Sequence, residues 1–134
     1  MPFVNSQGPI PGIDFSFPDI YLQPTPVGPI PMPMPSVGMR PTEIPTCFRF
    51  LISCMPSHNL MNAAPVCIAG PGPGVLSGMV CSKTANMKGS VKLIIQAMPA
   101  TRALMDPTVQ NGMSPNSFGT TIVPSQIRLL NPSG

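Results

Sequence analysis

The stretch FRFLISCMPSHNLM, residues 48–61, returns as VKLIIQAMPATRALM at residues 91–105. The two stretches align over a constant offset of 43 residues. Each is a β-rich run with a basic residue at its second position, Arg49 or Lys92, and each reaches a Met-Pro corner. A run of β-branched and aromatic residues that ends at a proline predicts a strand entering a turn. The repeat therefore predicts two strand-turn units in one small β body.

A third, weaker copy lies near residue 130. Ile127-Arg128-Leu129-Leu130 again places a basic residue after a β-branched one, as in Val91-Lys92-Leu93-Ile94. Two copies and a partial third predict approximate internal symmetry. By default Arg49, Lys92 and Arg128 are solvated strand residues. The alternative is that these three side chains mark one face and meet carboxylates or strand ends of a partner.

Proline and glycine account for 21 and 12 of the 134 residues. Proline removes a backbone donor and breaks helix interiors, so we expect short strands and tight turns. Disorder is a poor interpretation because the chain is 43% hydrophobic, whereas disordered chains combine low hydrophobicity with high net charge. We predict an all-β, cone-like single domain over residues 1–134, with a Pro-rich extended arm at 1–41 and a β body at 42–134.

Charge is scarce and scattered. Charged residues make up 8% of the chain, against about 25% in an average soluble protein. Much of the surface should therefore be covered by another molecule. The net charge is only +3, and the basic residues form no run. This is too little positive charge for a nucleic-acid-binding surface.

The arm carries proline at every second position from Pro29 to Pro35. Residues before proline favour extended geometry, so we expect this ribbon to lie flat on another surface and to present Ile30, Met32 and Met34 for docking. A flexible linker is the alternative, but linkers are richer in Gly, Ser and charge.

The start of the sequence lacks the basic and apolar regions of a secretory signal. We therefore expect synthesis in the cytoplasm, where four cysteines are reduced thiols or metal ligands rather than disulfides. A structural Zn or Fe site would use Cys54, His58 and Cys67. The alternative is that the cysteines pack as small hydrophobic residues.

The sequence contains few candidate catalytic residues. The four acidic residues are not paired in sequence, which disfavours a two-carboxylate mechanism. A thiol nucleophile at Cys54 with His58 as base would lack an orienting acid. We expect no enzymatic activity.

Four segments in order, namely DIYLQPTPVGPIPMP (19–33), MPSHNL (55–60), GVLSG (74–78) and VKLIIQAMPATR (91–102), resemble PAAR-like proteins that cap the spike of type VI secretion systems and related contractile injection particles. The resemblance implies a β cone on a trimeric VgrG-type spike, sometimes with an effector or chaperone. It further implies assembly in the producing cell, outward delivery and only transient contact with a target membrane. The family often binds metal through several histidines and a cysteine, whereas this chain has one histidine.

Two rival functions stay open at this stage. The chain could be a small metal-binding or redox protein that uses its four thiols. It could also be a Pro-rich interaction module in which residues 24–35 are recognised by a polyproline-binding groove.

Overall fold

The computed structural model describes residues 2–44, 46–112 and 116–132. Within them the chain is all-β, as predicted, and its helical content is a single 3₁₀ turn at Arg40–Thr42. The strands are β1 (Ile13–Gln23), β2 (Ile30–Met39), β3 (Cys47–Ile52), β4 (Met55–Ser57), β5 (Ala63–Ala64), β6 (Cys67–Ile68), β7 (Thr84–Asn86), β8 (Ser90–Ile95), β9 (Met98–Ala100), β10 (Pro107–Gln110) and β11 (Ser117–Val123). No helix of the described residues is long and apolar enough to cross a membrane.

Seven strands form one curled sheet in the order β5-β7-β10-β11-β1-β2-β6. The two edge strands, β5 and β6, are consecutive in the chain and are separated only by Pro65 and Val66. The sheet therefore curls until its edges nearly meet, which gives a barrel-like body. Closure of this kind removes most of the unpaired strand edge.

The Pro-rich segment is extended, as expected, but the surface on which it lies is the protein's own sheet. Strands β1 and β2 pair antiparallel from Ile13↔Met39 to Gln23↔Ile30. On the side of β2 away from β1, β6 pairs only with Val37 and Gly38. Among the described residues, no named strand lies on that side of residues 30–36. A sheet edge tolerates proline because no ladder donor is required there. Residues 24–35 are therefore a turn and a paired strand rather than a free polyproline ligand.

The interior of the barrel is polar. Arg40 is fully buried and its guanidinium contacts Asp14, Glu43, Asn86 and Thr121 at 2.6–2.9 Å. All five of its N–H donors point into this cluster, which is the condition for keeping a buried guanidinium. The barrel is also narrow, since a Cβ on Gly38 of β2 would lie 2.8 Å from Thr84 Oγ1 on β7, and these two strands are not neighbours in the sheet.

The sequence repeat forms two matching hairpins, which confirms the strand-turn prediction. Strands β3 and β4 pair through Cys47↔Ser57, Leu51↔Pro56 and Ile52↔Met55, and strands β8 and β9 pair through Ser90↔Ala100, Ile94↔Pro99 and Ile95↔Met98. Both hairpins turn through two residues with positive φ, Ser53-Cys54 and Gln96-Ala97. Two successive left-handed residues define a type I′ turn, whose twist matches that of the flanking strands.

A third hairpin is assembled from the two ends of the described chain. Phe3 bridges Leu130, and the Asn131 N–H donates to the Pro2 carbonyl at 3.0 Å. Phe3 is therefore equivalent to Pro56 and Pro99 of the other two hairpins, and Leu130 is equivalent to Leu51 and Ile94. This pairing brings Arg128 to the position of Arg49 and Lys92, the alignment that the sequence pattern predicts.

The three hairpins are joined in a ring. Each bridges the next through the same backbone positions: Ser6↔Ser57, Asn59↔Ala100 and Arg102↔Val4. Three equivalent hydrogen bonds follow, from Gln7 N to Pro56 O, from Leu60 N to Pro99 O and from Ala103 N to Phe3 O, at 2.7–2.9 Å. The unit therefore has an approximate three-fold axis. We call it the base and define it as residues 3–7, 47–60, 90–103 and 126–131.

The base has its own apolar core. Val4, Cys47, Ile52, Ile95 and Ala100 are buried together, with Leu93 and Leu129 packed against them. Members come from all three hairpins, so burial of this cluster holds the ring closed.

Candidate docking surface

In each of the first two hairpins of the base, a short segment lies outside the strand pairing. In β3, Cys47 pairs with Ser57 but the next paired residue is Leu51, so residues 48–50 have no partner in β4. The same displacement in β8 leaves residues 91–93 outside the ladder. Bulged residues are left out of the hydrogen-bonded ladder. Here they are Phe48-Arg49-Phe50 and Val91-Lys92-Leu93, the apolar-basic-apolar triplet of the repeat.

These segments create an exposed surface with three-fold character. Phe48, Val91 and Ile127 occupy equivalent positions and are 73%, 69% and 65% exposed. The surface, which we call the three-fold face, consists of these three residues, the basic Arg49, Lys92 and Arg128, and the exposed Leu51, Ile94 and Leu130. Residues related by a three-fold axis lie at the same height along it, so each type of side chain forms its own triangle.

The basic members of this face lack an ion-pair partner in the part of the chain that the structure describes. All four acidic side chains are buried, at 2% exposure or less. Asp14 and Glu43 contact Arg40, Asp106 contacts Arg102 at 2.8 Å, and Asp19 accepts from Tyr21 Oη at 2.6 Å. The exposed side-chain charge of the protein is therefore entirely positive.

The two carboxyls beside Arg40 differ in their proton affinity. Burial raises the pKa of the Asp14 carboxyl above 3.8, and the Arg40 charge offsets that effect only in part. Burial also acts on Glu43, but the Arg40 charge and the His58 ring together outweigh it and hold the Glu43 pKa below 4.5. The folded state therefore stabilises the ionised carboxylate of Glu43 more than that of Asp14.

The structure does not bring the predicted metal ligands together. His58 is buried, with Nδ1 3.0 Å from Glu43 Oε2. Cys54 is exposed at a hairpin turn, and Cys67 is buried in β6, where burial raises the pKa of its thiol. Within residues 2–44, 46–112 and 116–132, no three His, Cys, Asp or Glu side chains form a group suited to a metal ion. These residues do not fit the Zn or Fe site that their sequence order suggests.

The six predicted docking residues fall into two separate places. Arg49, Lys92 and Arg128 lie on the three-fold face, whereas Ile30, Met32 and Met34 lie in the far half of β2. Strand β1 starts close to the base, because Gly12 lies against Ser125, whose hydroxyl accepts from the Ser6 N–H at 2.7 Å. Ile30 pairs with Gln23, the last residue of β1, so the second group lies at the other end of this strand.

Sequence reasoning missed the N-terminal strand of the base. Phe3 to Gln7 takes the same backbone role as Pro56 to Leu60, but the two pentapeptides FVNSQ and PSHNL share no residue at matching positions. Their equivalence rests on main-chain hydrogen bonds, which leave no signature in side-chain identity. The available signal was the third strand at Ile127–Leu130, because a third strand requires a partner.

The sequence matches a known family model. The family described as "Toxin PAAR-like domain" matches residues 12–117, most of the chain. No curated protein and no solved structure matches this sequence.

Proposed function

Because the chain belongs to the family of toxin PAAR-like domains, we propose that it is the tip of a contractile injection apparatus and caps a trimeric VgrG-type β-helical spike. PAAR-like domains are structural domains associated with spike complexes of secretion systems. The approximate three-fold symmetry of the base carries this proposal. A single chain with three copies of one surface motif is matched to a partner with three identical chains, because each copy can meet the same patch.

The chemistry of the three-fold face supports the same partner. Its apolar triangles supply area for burial, and apolar surface of this extent on a small protein is typical of an interaction site. Its basic triangle requires negative charge from outside, since the protein's own carboxylates are all buried. The complementary end of the spike should therefore present apolar residues and three equivalent acidic groups.

The opposite end of the molecule is suited to form the point. Strands β1 and β2 continue beyond the strands that flank them, because β11 pairs only with Ile13–Ser16 and β6 only with Val37 and Gly38. The turn that joins β1 and β2 carries Val27, which is 95% exposed. Residues 73–75 lie beside β1 in this part, where Leu22 N–H donates to Pro73 O and Val75 N–H donates to Ile20 O. A narrow end of this kind would concentrate axial force on a small area of a target membrane, which the tip would touch only in passing.

The proposed role is mechanical and needs no catalytic group. The buried carboxylates are held in ion pairs and hydrogen bonds that stabilise the barrel and the base. We propose that the protein is made in the cytoplasm, joins the apparatus there and leaves with it. The apolar outer wall of the barrel, with Phe17, Phe118 and Ile122 exposed, leaves space for an effector or chaperone.

Co-expression with a cognate spike protein tests the proposal. We expect a complex with one copy of this chain per three spike chains, measured by native mass spectrometry. The triple variant Arg49→Ser/Lys92→Ser/Arg128→Ser should bind at least about tenfold more weakly, because each lost interfacial charge pair weakens association. Lys83→Ser/Lys88→Ser, which removes basic residues outside the three-fold face, is the control. Absence of a complex with the unaltered protein would refute the proposal.

A further inference from the structure

The three-fold face has three sectors, one on each hairpin of the base. It is not uniform, because the sector on the third hairpin borders a cavity. A cavity of about 390 Å³ opens between the third hairpin and the turn of the first. Pro9, Ile10 and Ile127 form its apolar wall, while Cys54 and Arg128 supply its polar part. The volume is sufficient for one large side chain together with neighbouring backbone.

Gln126 holds the wall of this cavity in place. Its side-chain Oε1 accepts from the backbone N–H groups of Arg128 and Leu129 at 2.6 and 2.8 Å. Its Nε2 donates to the carbonyls of Val4 and Leu129 at 2.7 and 3.0 Å. The backbone that carries Arg128 is therefore fixed before any partner arrives, and pre-organisation of this kind lowers the entropic cost of binding.

The other two sectors lack this clamp. Cys47 and Ser90 stand at the positions equivalent to Gln126, and neither is a carboxamide. Cys47 Sγ accepts from Asn59 Nδ2 at 3.1 Å, and Ser90 Oγ accepts from Asn131 Nδ2 at 2.9 Å. The cavity distinguishes one sector of an otherwise three-fold surface.

We propose that this cavity receives an apolar residue with an adjacent carboxylate from one of the three spike chains, so that the three identical spike chains meet the tip through unequal contacts. The inference rests on the proposed function. The apolar wall selects the side chain, and the Arg128 guanidinium pairs with the carboxylate. The carboxylate must come from another chain, since the acidic side chains of this protein are buried.

Single charge removals test the inference. Arg128→Gln should weaken binding to the trimeric spike at least about tenfold, because it leaves a carboxylate unpaired in a partly enclosed site. Arg49→Gln and Lys92→Gln, at equivalent positions outside the cavity, are matched controls and should each lose less than about threefold, as exposed charge pairs do. Equal losses from all three would overturn the inference and leave the proposed function standing. Failure of the unaltered protein to bind would overturn both.

Thiol protection provides a second readout. In a Cys81→Ser background, bound spike should slow alkylation of Cys54 strongly. The control adds Cys54→Ser and Ala97→Cys, which moves the thiol to the equivalent turn away from the cavity and should show weaker protection. Equal protection of the two thiols would contradict an occupied cavity. Two glycines added to the spike's C-terminus separate the carboxylate sources: weaker binding identifies the main-chain terminus, and unchanged binding identifies an Asp or Glu side chain.

Discussion

Nδ1 of His58 lies 3.0 Å from Oε2 of Glu43, and both side chains are closed off from solvent. His58 belongs to the base, whereas Glu43 also contacts Arg40 at 2.6 Å inside the barrel. One carboxylate therefore connects the two parts of the fold. If it were removed, Arg40 and His58 would both lose the carboxylate beside them.

Glu43→Gln should be far more damaging than Asp14→Asn. The first substitution leaves Arg40 short of negative charge, and breaking a buried pair in this way costs about 3–5 kcal/mol. The pKa of Asp14 is raised rather than lowered, which means that the folded state stabilises its carboxylate less than that of Glu43, so the second substitution should cost less than the first. Urea unfolding followed by far-UV circular dichroism at pH 7 measures both. Similar losses would show that Glu43 has no special position.

The same two residues predict opposite responses to acid. The Glu43 pKa is below 4.5 in the folded state, so its stabilising contribution is complete above pH 4.5 and is lost as the pH falls through the folded pKa. The Asp14 pKa is raised above 3.8, so the folded state binds this proton more tightly and acidification favours folding. Asp14→Asn should therefore steepen the loss of stability between pH 6 and pH 3, and Glu43→Gln should reduce it, as measured by urea unfolding across that range. Identical pH profiles for the two variants would contradict this assignment.

A circular permutant tests the third hairpin directly. Linking Asn131 to Pro2 through Asn-Gly and opening the chain between Ser53 and Cys54 exchanges one hairpin turn for another. Because the three hairpins are equivalent, we expect a cooperative unfolding transition and an unchanged β-type spectrum. A permutant opened between Ile20 and Tyr21, in the middle of central strand β1, should not fold and serves as the comparison. An unfolded first permutant would mean that the three hairpins are not interchangeable.

The two type I′ turns are suboptimal in sequence. Ser53, Cys54, Gln96 and Ala97 all have φ between 51° and 64°, a region that disfavours most L-residues and favours Asn-Gly in these turns. Ser53→Asn/Cys54→Gly should raise the free energy of unfolding by about 1 kcal/mol. The matched change Gln96→Asn/Ala97→Gly should give a similar gain, and thermal unfolding measures both. A loss of stability in either variant would argue against the turn type.

The repeat and the all-β fold were predictable because they depend on local pattern. A strand, a corner and a basic residue recur at a fixed offset, and the third basic residue follows the same rule at Arg128. The N-terminal strand from Phe3 to Gln7 was not predictable, since its place in the ring is specified by backbone donors and acceptors that every residue carries.

The polar interior of the barrel also could not be predicted from the sequence pattern. In β1 the alternation of Ile13, Phe15 and Phe17 with Asp14 and Ser16 has the period of a half-buried strand. Period alone does not say which set faces inward, and hydrophobicity would place the aromatic set there. The structure buries Asp14 and Ser16 instead, because Arg40 and Thr121 donate to Asp14 Oδ1 and Ser16 forms a hydrogen bond with Ser117. The predicted metal ligands were chosen on a similar basis: although they are close in sequence, Cys54 is exposed at a turn, His58 is buried beside Glu43, and the described residues form no metal-binding group.

The ring of the base has a consequence for the order of events during synthesis. Residues 3–7 leave the ribosome first, yet their hairpin partners at residues 126–131 are translated more than a hundred residues later. The first and second hairpins can form on the nascent chain, but the ring stays open until the last strand emerges. A partly translated chain therefore has an incomplete base, and under the proposed function it could cap a spike only after translation has passed its final strand.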